Sequence, residues 1–216
     1  DAGRTTAVKI AAVAAGEDFS LALDTQGQVW SFGRNDKGQT GTMTNGANVA
    51  APAAVCGFGT SSAQLENTHT PYALDEVVAI AAGARHAVAL TAGGAVYTWG
   101  DNDQGQRGIG QNLAGTYDYQ PREILSAGMY AFSHDHTAVA IAAGATHTLV
   151  LTDENTNPGD KGNVYAFGYN YFGSLGDGTQ NTAYYPVRVK TTQNTAGAAV
   201  DIEHIAGIAA GQYASY

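Results

Sequence analysis

Three stretches of the 216-residue sequence carry side chains whose types and spacing could do chemistry. In "YTWGDNDQGQRG" (97–108), Gly100, Gly105 and Gly108 surround Asp101, Asp103 and Arg107, as in a cradle for a phosphate or a metal. In "DENTNPGD" (153–160), Asp153, Asn155, Asn157 and Asp160 share one hairpin, an oxygen-rich set of the kind that takes Ca²⁺. In "AFSHDH" (131–136), His134 and His136 flank Asp135; on a strand both imidazoles project to one side, which is half of a metal site.

Each set is incomplete. Gly100-x4-Gly105 is followed by Gln106 rather than the Lys-Ser/Thr that holds nucleotide phosphates. The hairpin has Pro158 where a calcium loop of the EF-hand kind turns on Gly, and Val164 where its closing Glu would stand, so a plain polar hairpin is the preferred reading. Only the fold could bring His69 or His204 to the histidine pair. Cys56 is the single cysteine, which rules out an internal disulfide, a thiolate zinc cage and a CxxC redox pair. With no nucleophile elbow and no paired acids of the glycosidase kind, no catalytic residue and no cofactor is expected; Ca²⁺ is the one candidate ligand ion.

Composition narrows the partners. Ten Lys and Arg against 19 Asp and Glu give a formal net charge of −9, a poor match to duplex nucleic acid or an anionic membrane surface. A basic partner or a divalent cation suits that charge better. Hydrophobic residues make up 44% and charged residues 13%, the balance of a packed domain. No apolar run approaches the roughly 20 residues of a membrane helix. Asp1 opens the sequence with no basic-then-apolar leader, so any export signal is expected to have been removed or to lie outside it.

What must position these residues is a repeat. "IAAGARHAVALTAGGAVYTWGDNDQGQRG" from Ile80 matches "VAAGEDFSLALDTQGQVWSFGRNDKGQTG" from Val13 and "IAAGATHTLVLTDENTNPGDKGNVYAFGYNYFGSLG" from Ile141; a fourth copy opens at Ile208. The anchor glycines Gly16, Gly83, Gly144 and Gly211 lie 67, 61 and 67 residues apart. The units are 10–76, 77–137 and 138–204, with the start of another over 205–216. The glycine steps of five and three recur as Gly33, Gly38, Gly41 and as Gly168, Gly173, Gly176, whereas the charges between them do not. That pattern belongs to a turn, not to a ligand cradle. His86 and His147 share one repeat position and are read as architectural for the same reason.

After each anchor glycine, apolar residues alternate with period two (Phe19, Leu21, Leu23; Val88, Leu90; Leu149, Leu151). A tight turn and a β-branched, aromatic run ("VWSF", "VYTW", "VYAF") follow. A third strand is expected after Pro52, Pro121 and Pro186, and the run before each anchor glycine supplies a fourth. Four antiparallel strands per unit predict an all-β chain of propeller blades, forming one domain.

The residues carrying "AAGxxHTLxL…VYxFGxNxxGxLG" resemble the regulator of chromosome condensation type of propeller repeat, over nearly the whole chain. The resemblance implies a ring of usually seven blades, of which about three are present; the remainder is expected from a longer polypeptide or from other chains. This sequence departs from the repeat at Phe19, where His is usual, and at Thr40 and Arg107, where only Leu175 keeps the usual Leu.

Strand order puts the three expanded segments, 56–76, 125–137 and 152–163, on one face. Expanded loops on a rigid scaffold are where binding usually resides. Phe58, Tyr72, Tyr130, Phe132, His134, Asp135 and His136 are therefore the expected partner contacts. Tyr117, Tyr119, Tyr184 and Tyr185 fit sugar-stacking or protein-contacting patches and fit blade junctions equally well. The leading expectation is a non-enzymatic protein-interaction module of a larger, secreted or cell-surface bacterial protein. The Asn/Thr/Gly-rich loops, and the lack of an Asn-x-Ser/Thr sequon among 12 asparagines, point that way. The alternatives are a guanine-nucleotide exchange factor for a small GTPase, as the resemblance implies, and an enzyme inhibitor or carbohydrate binder.

Overall fold

The computed structural model describes residues 7–57, 72–74, 76–110, 117–124, 136–154, 162–191, 200–201 and 205–216. All regular structure among them is β. The first blade contains β1 (Ile10–Ala15), β2 (Phe19–Asp24), β3 (Val29–Gly33) and β4 (Val49–Ala54). A small hairpin of β5 (Cys56–Gly57) and β6 (Tyr72–Ala73) follows. The second blade contains β7 (Val77–Ala82), β8 (His86–Thr91), β9 (Val96–Asp101) and β10 (Tyr117–Glu123). The third contains β11 (His136–Ala143), β12 (His147–Glu154), β13 (Asn163–Gly168) and β14 (Ala183–Arg188), before a second small hairpin of β15 (Lys190–Thr191) and β16 (Val200–Asp201).

Each blade is a sheet of four strands paired in chain order, with every pair antiparallel. The strand before each anchor glycine is thus the first of its blade, and β1, β7 and β11 touch in turn along the inner edge. Pro52, Pro121 and Pro186 lie inside β4, β10 and β14 rather than ahead of them. These are the outermost strands, where a residue without an N–H breaks no ladder, and the pairing with the neighbouring strand shifts register in all three blades.

The core lies between blades, not within them. Phe19, Leu21 and Leu23 of the first blade meet Ala87, Ala89 and Trp99 of the second. Val88, Leu90 and Val96 of the second meet Val150 and Phe167 of the third. Leu149, Ala166 and Leu175 of the third are covered by Ile208 and Ala210. A strand caught between two such layers is apolar on both faces, which is why β8 reads HAVALT with five consecutive buried residues.

Antiparallel order also separates the connections. The anchor-glycine turns and the long β3–β4, β9–β10 and β13–β14 loops share one end of the blades. The β2–β3 type hairpins and the crossovers to the next blade share the other. The strands that flank the three expanded segments, β4 and β7, β10 and β11, and β12 and β13, meet them at that second end. The backbone agrees: Val77 N donates to Gly27 O at 3.2 Å, tying a hairpin turn to a crossover.

Candidate functional site

At the first end, each glycine-stepped loop is built around a buried asparagine. Asn35, Asn102 and Asn170 accept, through Oδ1, from the backbone N–H of Thr40, Arg107 and Leu175 at 3.0, 3.1 and 2.9 Å. Three buried amide side chains thus hold three loops of one shape. The glycines ahead of them allow close approach: Gly100 has φ +91°, and a Cβ there would lie 2.6 Å from the carbonyl oxygen of Arg85. The stretch 97–108 is therefore a corner of the blade, and its asparagine is the structural residue that charge-centred reading passes over. The recurrence of Asn two residues after each glycine is the signal that marks it.

The anchor turns are joined from blade to blade. Glu17 N donates to Ala84 O, Ala84 N to Ala145 O, and Ala145 N to Gln212 O, at 3.0, 3.0 and 3.1 Å. Beneath them run buried side-chain relays. Thr148 Oγ1 donates to Gln106 O at 2.8 Å; since a carbonyl only accepts, His86 Nε2 must carry the proton that binds Thr148 at 2.9 Å. Ser215 and His147 repeat the relay at the next junction, with Ser215 Oγ 2.6 Å from Ser174 O. Burial pushes both imidazoles down, His86 to about 3, so both are neutral framework groups.

The anchor turns and the corner loop of the second blade frame a cavity of about 710 Å³ whose polar wall includes Glu17, Arg85, Asp101, Asp103 and Gln104. Around this rim, Arg34 sits between Asp18 and Asp36 at 3.2 and 2.6 Å, and Arg85 lies 3.1 Å from Glu17 of the preceding blade. Lys37 bridges to the next blade, 3.1 Å from Asp103 and 3.9 Å from Asp101. Its hydrogen bond to Asp103 raises the lysine above its usual range, while burial holds the Asp101 carboxyl above its own. The paired carboxylates Glu17, Asp18, Asp36, Asp101 and Asp103 outnumber their cations Arg34, Lys37 and Arg85. In the third blade the corresponding corner is aromatic: Tyr169, Tyr171 and Phe172 stand where the others carry charged or polar side chains.

Phe58, Tyr130, Phe132, His134 and Asp135 fall outside the described residues, as do Asn155, Asn157 and Asp160. Tyr72 pairs with Gly57 across the small hairpin that closes the first expansion. His136 opens β11 opposite Glu154, with Thr137 opposite Asp153. Among the described residues no group of three or more His, Cys, Asp or Glu is placed to hold a metal. Among the described residues no helix is long and apolar enough to cross a membrane.

Comparison with known proteins accords with this geometry. Two profiles of the regulator of chromosome condensation (RCC1) repeat match the chain, one over 10–39, 77–106 and 138–174, the other over 26–90, 93–151 and 161–216. Protein RCC2 homolog of Danio rerio is 33% identical over 157 residues, covering 73% of this chain and 26% of the relative. Probable E3 ubiquitin-protein ligase HERC6 of Homo sapiens is 33% identical over 170 residues, covering 78% of this chain and 14% of the relative. The chain thus spans about a quarter or less of the length of these relatives, and both come from animals rather than bacteria. Among solved structures, Prp20p of Saccharomyces cerevisiae, described with its binding to Gsp1p and histones, superposes with a TM-score of 0.67 at 21% identity, over 95% of this chain and 42% of Prp20p. Likeness at that identity is a likeness of fold.

Proposed function

The chain belongs to the regulator of chromosome condensation (RCC1) repeat family, and on that premise we propose that it is a non-enzymatic protein-interaction segment of a propeller. It takes its partner at the rim framed by the anchor turns and corner loops. The observation that carries this reading is the 710 Å³ cavity, which is walled by charged side chains from separate blades held in fixed register by their backbone and ion-pair links. A polar concavity supported by rigid turns suits recognition of a protein surface. The solved neighbours include yeast RCC1 (Prp20) bound to Kap60, and a protein partner for this chain is in keeping with that example.

A photo-crosslinking amino acid at Gln104, on the rim, and another at Gln26, on the opposite hairpin, tests the assignment in the intact protein. Partner adducts at position 104 and not at 26 are expected; the reverse pattern would move binding to the expanded-loop end. Prp20p's described binding to Gsp1p favours a second reading, regulation of a small GTPase by nucleotide exchange. Release of fluorescent GDP from purified small GTPases tests it, and unchanged release rates across the panel would remove it.

A further inference from the structure

The third corner departs from the other two in a way that points to a partner chemistry. Where the first and second blades set Arg34, Asp36 and Lys37, or Asp101, Asp103 and Gln104, the third sets Tyr169, Tyr171 and Phe172. Tyr171 stacks on Tyr169 with ring centroids 6.4 Å apart and planes at 21°. Phe172 stands edge-on to Tyr171 at 5.2 Å and reaches Tyr213 of the following segment at 5.5 Å. Tyr171, Phe172 and Tyr213 remain 64%, 61% and 47% exposed. Exposure on that scale by three contacting rings is more than a corner needs, because the other two corners are built with none.

Tyr213 lines the same cavity as Asp101 and Asp103. Through its contact with Phe172 it links the aromatic spur to a cavity lined with carboxylates. An aromatic face attracts a cation electrostatically, most strongly a planar guanidinium, and neighbouring carboxylates add to that attraction without competing for the ring. Asp103 and Glu17 are paired with Lys37 and Arg85, and the excess of carboxylates over cations at the rim favours a basic segment over an acidic one.

We propose that Tyr171, Phe172 and Tyr213, together with Asp101 and Asp103, form a docking site for an arginine-bearing peptide segment. The guanidinium lies over the Tyr171–Phe172 spur, and a neighbouring basic side chain enters the cavity. The site rests on the rim reading given above and specifies the chemistry of the partner.

The test is fluorescence anisotropy of a labelled Gly-Arg repeat peptide titrated with the intact protein, beside a citrulline peptide of the same length and an acidic control. Saturable, salt-weakened binding of the arginine peptide is expected. Citrulline substitution, Tyr171→Ala and Phe172→Ala should each weaken it about five- to tenfold, and Asp103→Asn to a similar degree. Both rings are exposed, so their removal should leave the melting temperature unchanged. Equal affinities for the arginine and citrulline peptides, or alanine variants that bind as wild type, would overturn the site. Crosslinking at position 104 that persists in the Tyr171→Ala, Phe172→Ala double variant would sink this site while sparing the rim reading; loss of crosslinking at 104 in the wild type would sink the rim reading itself.

Discussion

Trp99 Nε1 donates to the carbonyl oxygen of Gln39 at 3.0 Å, across the junction of the first two blades. At the next junction the corresponding carbonyl, Gln106, takes its hydrogen from Thr148, which in turn receives one from His86. The first junction has Phe19 in place of the histidine, Ala87 in place of the threonine and Trp99 in place of Phe167. Phe19, Ala87 and Trp99 lie buried in one cluster, so the departure at Phe19 belongs to an exchange of three residues. A polar relay has been replaced by an apolar pair, and an indole satisfies the carbonyl that would otherwise be left bare.

That exchange should be visible as coupling. Trp99→Phe strands a buried carbonyl and is expected to cost about 1–3 kcal/mol in urea unfolding. Phe19→His buries an imidazole opposite Ala87 and should cost a comparable amount. Combining Phe19→His with Ala87→Thr restores a hydroxyl acceptor, so the double variant should lose at least about 0.5 kcal/mol less than the two single losses together. Strict additivity would show that the residues act independently.

Acid stability should carry the signature of His86. Its folded value of about 3 lies below the ordinary 6.5, so the unfolded chain binds the extra proton between those values. Stability due to neutral His86 is complete above pH 6.5 and is lost as pH falls toward 3, at up to about 1.4 kcal/mol per pH unit. Protonation would also put a second N–H at Nδ1, which has no hydrogen-bond partner. His86→Gln should be less stable at pH 7 and show a shallower fall in urea midpoint between pH 6.5 and 4.5. Parallel slopes would exclude His86 as the source.

Two glycines should respond differently to alanine. A Cβ at Gly83 would overlap the His86 imidazole and come within 2.6 Å of Gly144 O, so Gly83→Ala should cost about 1–3 kcal/mol or prevent folding. Gly173, with φ +74° and open space around it, faces only the left-handed backbone penalty of about 1–2 kcal/mol. Thermal melts of the two variants should rank Gly83→Ala as the more damaging, and the opposite order would contradict the packing of the anchor turn on the imidazole.

Lys37 spans two blades through ion pairs whose partners are partly solvated. Lys37→Met is expected to lower stability by no more than about 1 kcal/mol, with a smaller effect at high salt. It should also release Asp101 and Asp103 and tighten binding of the arginine peptide. A weakened affinity would mean that Lys37 holds the site together.

Much of the fold was legible in the repeats. Period-two alternation, turn glycines and β-branched runs are local properties of the chain, and three aligned copies of "GxNxxGxxG" made the corners recognisable before any packing was known. The prolines misplaced the start of the outer strands, because an isolated Pro reads as a strand boundary until its strand is seen to be an edge. The partition of loops between two ends also followed from strand count alone.

The sequence by itself determined the blade, its turns and the recurrence that marks Asn35, Asn102 and Asn170 as framework. Only the tertiary structure decided that Phe19, Ala87 and Trp99 answer one another, that His136 lies opposite Glu154, and that Tyr213 and Asp103 line one cavity. Hydrogen bonding within a blade joins strands that follow one another in the chain, whose alternation periodicity records. Contact between blades joins residues 60 to 68 positions apart, through side-chain shape and donor geometry that no local pattern encodes.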